Sequence, residues 1–412
     1  MPSTLVIFYL VFMFIGLYFF FFYILLMVRN KYRIFSHPEP NRDYTVSVVI
    51  PVYNEANTIQ STIEHVMDSD YKGLIEVIVV NDESTDKTLD IVKSLQKRYR
   101  LLKILNKKNS GKADSVNRGV AIAKGELVGV VDADSYPEKT AISKIVGYFN
   151  DEKMAAVASC VFVRNNKTLL EKLQVMEYIL LAWNRKLLDF LGAVYVTNGP
   201  LSVYRKDALN KIGGFDPKSI TEDIEVTWHL MDAGYKTAMC LDAVATTTVP
   251  STFKKFWKQR ERWGIGGIEA IYKYRKTFLK KGIFGMFVLP YVSFAIILNI
   301  FVFLFSLYVM VDNFALSFLS TGYTLAVDAP LITLKEINLH PSVLIFFFIT
   351  LFIISITFTR YILIVLGERD GRNQNVRKVF RMLFYLMVFL AIYPVIWFPV
   401  VYRIIKRDYR WR

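Results

Sequence analysis

Ser3 to Val28, STLVIFYLVFMFIGLYFFFFYILLMV, carries no charge. As a helix rising ~1.5 Å per residue it reaches roughly 39 Å, enough for a ~30 Å hydrocarbon core with some tilt. It has neither a basic start nor a small-residue cleavage site, so it predicts a retained anchor rather than a signal peptide. A long polar region follows. Three more apolar runs then appear, at about Met286–Val311, Val343–Gly367 and Leu383–Tyr402. Pro394 and Pro399 make the last one as compatible with a broken or re-entrant helix as with a clean span.

Within the polar region the period changes. Tyr44–Val52 (YTVSVVIPV), LIEVIVVND ending at Asp82, LLKIL, and ELVGVVDAD ending at Asp134 read as strands. Between them NEANTIQSTIEHVMDSD, STDKTLDIVKSLQKRY and GKADSVNRGVAIAKG have helical spacing, with a Ser/Thr start and a Gly stop among their end signals. Strands alternating with helices predict an α/β domain with a mostly parallel sheet.

Charge places these parts. RNKYR after the first apolar run, KYRKTFLKKG before the second and RDGRNQNVRKVFR between the third and fourth put those flanks, and the polar domain, in the cytoplasm. The loop Asp312–Pro341 carries one Lys. The basic tail RIIKRDYRWR also favours the cytoplasm, which conflicts with four simple spans. The expected organisation is an anchor over 1–30, the α/β domain over 31–250, a basic aromatic stretch over 251–282 and a membrane region over 283–412. The composition agrees: 53% hydrophobic and 15% aromatic residues in a chain of 412. The net charge of +15 is largely explained by membrane flanks, so no nucleic-acid partner is required. Cys160 and Cys240 lack metal-ligand spacing and read as buried thiols in a reducing compartment.

Parallel sheets bind ligands beyond the carboxyl ends of their strands. Pro51, Tyr53 and Glu55, then Asp82, then Asp132 and Asp134 all fall at such ends. In an extended segment Asp132 and Asp134 would share a face. Paired carboxylates there suit Mg2+ or Mn2+, hard ions that bridge diphosphates.

VSVVIPVYNE, VIVVNDESTD, NKKNSGKADSVNRGVAIAKGE and VVDADS, followed by Thr221-Glu222-Asp223 and QRERW at Gln259–Trp263, resemble the ordered motifs of family 2 glycosyltransferases with the GT-A fold. The last motif is similar to that of the processive, membrane-integrated members, which make cellulose, chitin, hyaluronan and poly-N-acetylglucosamine. The resemblance covers about Val46 to Trp263 and implies a Rossmann-like GT-A domain, a helical transmembrane region and amphipathic interfacial helices. It also implies a UDP-sugar donor, with N-acetylglucosamine the best match of architecture, a polysaccharide or lipid-linked acceptor, and an enzyme seated in the plasma membrane bilayer. Four spans are few for a polymer channel, so a homo-oligomer or small membrane partner subunit is a further expectation.

Residue roles follow from the same resemblance. Pro51, Tyr53, Glu55 and Asp82 would line the base pocket, Asp134 would ligate the metal with Asp132 beside it, and Lys112 would face the nucleotide unless it is a solvated helix-end lysine. Relatives usually read GKAxALN where this chain has GKADSVN; Asp114 departs from that pattern. Asp223 is expected to be the base of an inverting displacement, on a helix capped by Thr221 with Glu222 in its first turn. Thr197, Asn198 and Gly199 would hold the acceptor, although Gly199-Pro200 also suits an ordinary turn. Trp183 and Trp228 read as core. On a helix Gln259, Arg262 and Trp263 share one face; Arg262 would neutralise the leaving diphosphate and Trp263 stack on the acceptor. Phe253, Phe256, Trp257 and Arg260 would form a membrane-facing side, and Gly264, Gly266 and Gly267 would weaken or bend the helix beyond Trp263. Competing readings are a non-processive transferase acting on a polyprenyl phosphate or glycolipid, a catalytically idle scaffold, and a transporter.

Overall fold

Seven consecutive buried residues, Val46–Val52, form β1. A β-branched run without a polar face is stable only when covered on both sides. The computed structural model describes residues 4–280, 282–326, 343–370 and 379–406. In it β1 pairs in parallel with β2 (Leu74–Asp82) and β4 (Leu127–Val130), and β3 (Leu102–Lys107) pairs in parallel with β2. Helices α2 (Ile59–Met67), α3 (Thr88–Arg98) and α4 (Lys112–Ile122) make the crossovers, as the alternating pattern predicts.

The sheet continues with β5 (Ser135–Pro137), β6 (Met154–Val163), β7 (Ser202–Arg205) and β8 (Lys236–Thr247), giving the order β3-β2-β1-β4-β7-β6-β8-β5. β7 is antiparallel to β4 and β6. One side of the sheet packs on α2 and α5 (Ala141–Val146), the other on α4, α7 (Lys206–Ile212) and α8 (Glu222–Asp232). The carboxyl ends of β1, β2 and β4 open on one edge, where α8 and α9 (Phe253–Tyr274) come together.

Among the described residues, four stretches are long and apolar enough to cross a membrane: Met13–Asn30, Phe284–Asp312, Ile349–Arg369 and Val379–Ile405. They lie in α1 (Thr4–Asn30), in a π-turn running into α10 (Leu289–Ala326), in α11 (Val343–Asp370), and in α12 (Val379–Phe384) with α13 (Ile392–Ile405). One expectation changes, and one reading left open is decided. The loop expected from Asp312 is helical as far as Ala326, because nothing between Asn313 and Ala326 is a proline or a charge that would stop a helix; residues 327–342 lie outside the described residues. The last segment breaks at Leu390–Ala391 after a π-turn over Tyr385–Phe389. Pro394 then falls in the first turn of α13, where its missing N–H costs nothing, and Pro399 sits inside the helix. Residues 407–412 of the basic tail lie outside the described residues.

Helix α6 (Leu169–Asp189) begins with a capping box between Thr168 and Glu171 and carries Glu177 in the apolar run VMEYILLAW. Glu177 accepts from Arg260 Nη2 of α9 at 2.6 Å and from the hydroxyl of Tyr393 on α13, and Arg260 Nε donates to Tyr393 at 2.9 Å. The guanidinium also lies over Trp263 at 4.0 Å and Phe256 at 4.8 Å. Arg403 of α13 pairs with Glu261 at 2.8 Å, and Arg369 of α11 with Asp242 of β8. These pairs tie the apolar helices to the sheet domain.

They also correct the expected membrane-facing side of α9. Phe256 and Arg260 are buried, Trp257 is partly covered, and Phe253 is about half exposed, at 52%. The face is covered by α6 and α13, so its aromatic and cationic residues are spent on protein contacts. The three glycines do not interrupt the helix, which runs unbroken to Tyr274; Gly264 lets Val400 approach.

Removing one partner of a buried ion pair strands the other charge, at about 3–5 kcal/mol. Glu177→Ala should therefore lower the unfolding temperature of the detergent-solubilised protein markedly, while Glu177→Gln, which keeps an acceptor for Arg260, should lower it less. Equal melting of the two variants would show that the pair does not brace α9.

Candidate active site

Strand β4 ends at Val130, so Asp132 and Asp134 lie beyond it in a turn closed by Ser135 N–H donating to Asp132 O at 3.0 Å. This corrects the extended geometry expected of the pair. The backbone of Asp132 is fixed by donation to Gly199 O at 3.0 Å, and a Cβ on Gly199 would stand 2.1 Å from Asp132 Oδ2. Glycine is thus required at position 199 by the carboxylate beside it. Lys112, the first residue of α4, reaches Asp132 Oδ1 at 2.6 Å and Glu222 Oε1 at 2.7 Å. Its side chain is 37% exposed, yet its ammonium is not free: it bridges two acidic motifs some ninety residues apart. Burial would lower its ammonium, but Asp132, Glu222 and Asp223 outweigh that and hold it above the ordinary lysine range.

Burial pushes Asp134 up to about 6, helped by Asp132 and Glu55. Glu55 is held by Thr58 Oγ1 at 2.7 Å and donates its backbone N–H to Thr88 Oγ1 at 2.8 Å. Among the described residues no cluster of three or more His, Cys, Asp or Glu forms a metal cage. Two hard carboxylates whose mutual repulsion raises one of them nevertheless suit a divalent ion that takes its other oxygens from a diphosphate.

Thr221, Glu222 and Asp223 open α8. Thr221 occupies the N-cap position but makes no side-chain cap; its Oγ1 is buried without a hydrogen-bond partner, and a Cβ on Gly266 would meet it at 2.0 Å. The neighbouring acids are pushed apart. Burial works against Glu222, yet Lys112 and then Arg262 hold its carboxyl below the usual range. Asp223 is raised to about 6 by burial and by Glu222, with Lys112 and Arg262 opposing.

Asp82 is buried, and its carboxylate accepts from Ser110 N–H at 3.0 Å and Gly111 N–H at 2.9 Å and pairs with Lys107. Its oxygens therefore anchor the loop entering α4. Asp114 joins that anchor, through Lys107 at 3.1 Å, Ser110 Oγ at 2.5 Å and Arg118 Nε at 2.9 Å, which accounts for the departure from GKAxALN. Pro51 is buried and Tyr53 exposed beside it.

In the turn before β7, Thr197 is fully buried, with its hydroxyl between Tyr204 at 2.8 Å and Thr227 at 2.6 Å. It braces the turn from inside, whereas Asn198 and Gly199 border the crevice through Arg185 and Asp132. On α9 Gln259 accepts from Arg260 at 2.6 Å, and Trp263 is held under the same guanidinium. Arg262 makes no ion pair among the described residues, although its charge reaches Glu222 and Asp223. Trp183 and Trp228 are core, as expected. The pattern of single motifs did not reveal Lys107, Arg185 or the Glu177–Arg260 pair. The one available signal was Glu177, an acid within an apolar helix that burial obliges to find a cation.

The family described as "Glycosyltransferase like family 2" matches residues 40–266. "Probable glycosyltransferase YdaM" of Bacillus subtilis (strain 168) is 35% identical over 246 residues, 57% of this chain and 58% of that protein. A poly-beta-1,6-N-acetyl-D-glucosamine synthase of Staphylococcus aureus (strain MSSA476) is 29% identical over 265 residues, 63% of this chain and 64% of that one. The match thus spans about three fifths of these curated relatives. Among solved structures, a mannosyltransferase from Pyrobaculum calidifontis in complex with GDP-Man and Mn2+ superposes with a TM-score of 0.56 at 22% identity, over 74% of this chain and 88% of that one. At that identity the likeness is one of fold.

Two adjacent glycines separate site packing from helix propensity. Gly266→Ala drives a methyl into Thr221 and should cut sugar transfer by roughly ten-fold or more through displacement of the acids behind it. Gly267→Ala meets nothing within 4 Å and should keep transfer while adding up to about 1 kcal/mol of helix stability. Rates of nucleotide release from the two purified variants decide it; equal loss would mean that α9 does not set the position of Thr221.

Proposed function

The chain belongs to glycosyltransferase family 2, a nucleotide-sugar-dependent transferase family, and we propose that it extends a β-linked polysaccharide from a UDP-sugar at the cytoplasmic membrane face. The observation that carries this reading is Lys112 held between Asp132 at 2.6 Å and Glu222 at 2.7 Å, with Asp223 beside Glu222 in the first turn of α8. Glu222 is kept ionised by Lys112 and Arg262, while Asp223 is raised to about 6. A carboxylate near that value is still mostly ionised at neutral pH and a far better proton acceptor than an ordinary aspartate.

In the proposed step an acceptor hydroxyl attacks the anomeric carbon of the donor and passes its proton to Asp223. The bond from that carbon to the diphosphate oxygen breaks, and UDP leaves with the electron pair. One displacement inverts the anomeric centre and needs no second nucleophilic carboxylate. Thr221 and Glu222 hold Asp223 in place, Glu222 through Lys112. Arg262, free of any carboxylate partner among the described residues, supplies charge to the departing diphosphate. Asp134, with Asp132, would hold Mg2+ or Mn2+, which would contribute charge neutralisation at the diphosphate. Pro51, Tyr53 and Glu55 border the base, with Asp82 shaping the pocket through the loop it anchors. Trp263, beside Gln259 and fixed by Arg260, offers its ring to the acceptor sugar.

N-acetylglucosamine is the proposed sugar. The named activity of the Staphylococcus aureus relative and the QRERW motif support it and favour a polymer over a single addition to lipid. The flanking basic segments support a cytoplasmic catalytic domain, and the apolar helices braced against α6 and α9 support export coupled to elongation.

UDP release by purified membranes across a panel of UDP-sugars, followed by product sizing, tests the reading; a single sugar added to a lipid would replace it. Asp223→Asn should cut transfer about 10²–10⁴-fold. Arg262→Ala should abolish transfer with membrane insertion intact, and Lys254→Ala should change little. Because Asp223 acts ionised, the rate should fall as pH drops through about 6. A wild-type acid limb near pH 4 would remove Asp223 from the base role.

A further inference from the structure

Arg262 has no carboxylate of its own to hold it, so its place is set by the backbone of α9. That helix meets the chain leading into α8 at successive turns. Arg262, Gly266, Glu269 and Lys273 recur at helical spacing and share one face of α9. Gly266 abuts Thr221, and Glu269 accepts from the Ile220 N–H. Lys273 Nζ then reaches Asp216 Oδ2 at 2.7 Å and Glu225 Oε1 at 2.5 Å.

Glu225 is the anchor on the α8 side. It lies in the first turn of that helix, two residues after Asp223, and is 2% exposed. The Tyr274 hydroxyl donates to the same Oε1 at 2.8 Å, and the Tyr274 ring packs against Trp228 of α8 with centroids 6.2 Å apart. A buried carboxylate is tolerated only with such partners, and these two both come from the end of α9. The contact of Gly266 with Thr221 fixes a single point and leaves α9 free to pivot about it. Lys273 lies seven residues beyond that point, about 10 Å along the axis, and Arg262 four residues before it, about 6 Å the other way. A second fixed point at Lys273 therefore fixes the direction of the helix and the place of Arg262 on it.

We propose that Glu225, Lys273 and Tyr274 are positioning residues, a clamp at the far end of α9 that sets where Arg262 stands relative to Asp223. The clamp rests on the transferase reading above. In that step the acceptor proton passes to Asp223 while the departing diphosphate draws on Arg262, so the two groups must face one carbon from opposite sides. They sit on different helices, and the clamp joins those helices. Arg262 matters most once charge has developed on the leaving oxygen. Loosening the clamp therefore lowers kcat and spares the KM for the donor.

The test is UDP release by the full-length protein in detergent, with rates expressed per folded molecule. Lys273→Met removes both ion pairs, Tyr274→Phe removes one hydrogen bond and keeps the ring, and Lys273→Arg keeps the charge. Lys273→Met should lower kcat roughly ten-fold or more with the donor KM held within about two-fold. Tyr274→Phe should lower kcat less, and Lys273→Arg should restore most of it. In an Arg262→Lys background Lys273→Met should cost little more, because residues that act through one another are not additive. A full further loss in that background overturns the clamp, as does wild-type kcat in both Lys273→Met and Tyr274→Phe, or a loss that disappears once rates are corrected for folded protein. A wild type that releases no UDP from any UDP-sugar removes the transferase reading instead, and the clamp with it.

Discussion

One ammonium group holds the site together. Lys112 stands between Asp132 and Glu222, carboxylates that reach it from the end of β4 and the start of α8. Without a cation among them, Asp132, Asp134, Glu222 and Asp223 would be four like charges around one half-buried crevice, and most would protonate rather than remain ionised. With Lys112 in place, Glu222 stays ionised and its charge falls on Asp223, which rises towards the range of a useful base. The same lysine therefore fixes geometry and sets protonation.

Close approach is the second constraint. Asp132 presses on Gly199, and Thr221 presses on Gly266, in both cases at distances that leave no room for a methyl group. These contacts lock the turn before β7 to the acids beyond β4, and α9 to the start of α8. Behind α9, Arg260 is held by Glu177 and Tyr393 and in turn holds Gln259 and Trp263. The helix that carries Arg262 is thus braced by α13 on one side and by α6 on the other.

Much of this was legible in the chain itself. The parallel strands, their crossover helices and the four apolar stretches follow from period and hydropathy, because a two-residue or 3.6-residue repeat is a local property. The acids at the strand ends were found because a parallel sheet exposes the carboxyl ends of its strands together. What misled was also local. The amphipathic face of α9 read as membrane-facing, since an aromatic and basic stripe looks the same whether lipid or a buried glutamate is to cover it. Asp-Ala-Asp read as extended because the apolar run before it did not show where pairing stopped. Asp82, expected to line the base pocket, also takes up Lys107 and two backbone amides, partners its place at a strand end did not show.

Sequence alone determined the kind of domain, the apolar stretches beside it and the family-like set of acids, all of which depend on residue type and spacing along the chain. Only the tertiary structure decided the partners: Lys112 with Asp132 and Glu222, Arg260 with Glu177 and Tyr393, Arg185 with Asn198, Gly266 with Thr221. Each pair except the third joins residues from 20 to 133 positions apart, and even Arg185 meets Asn198 only because the chain turns back after α6. Charge and hydrogen bonding act over a few ångströms of space, so their outcome waits on which segments the fold brings within that distance.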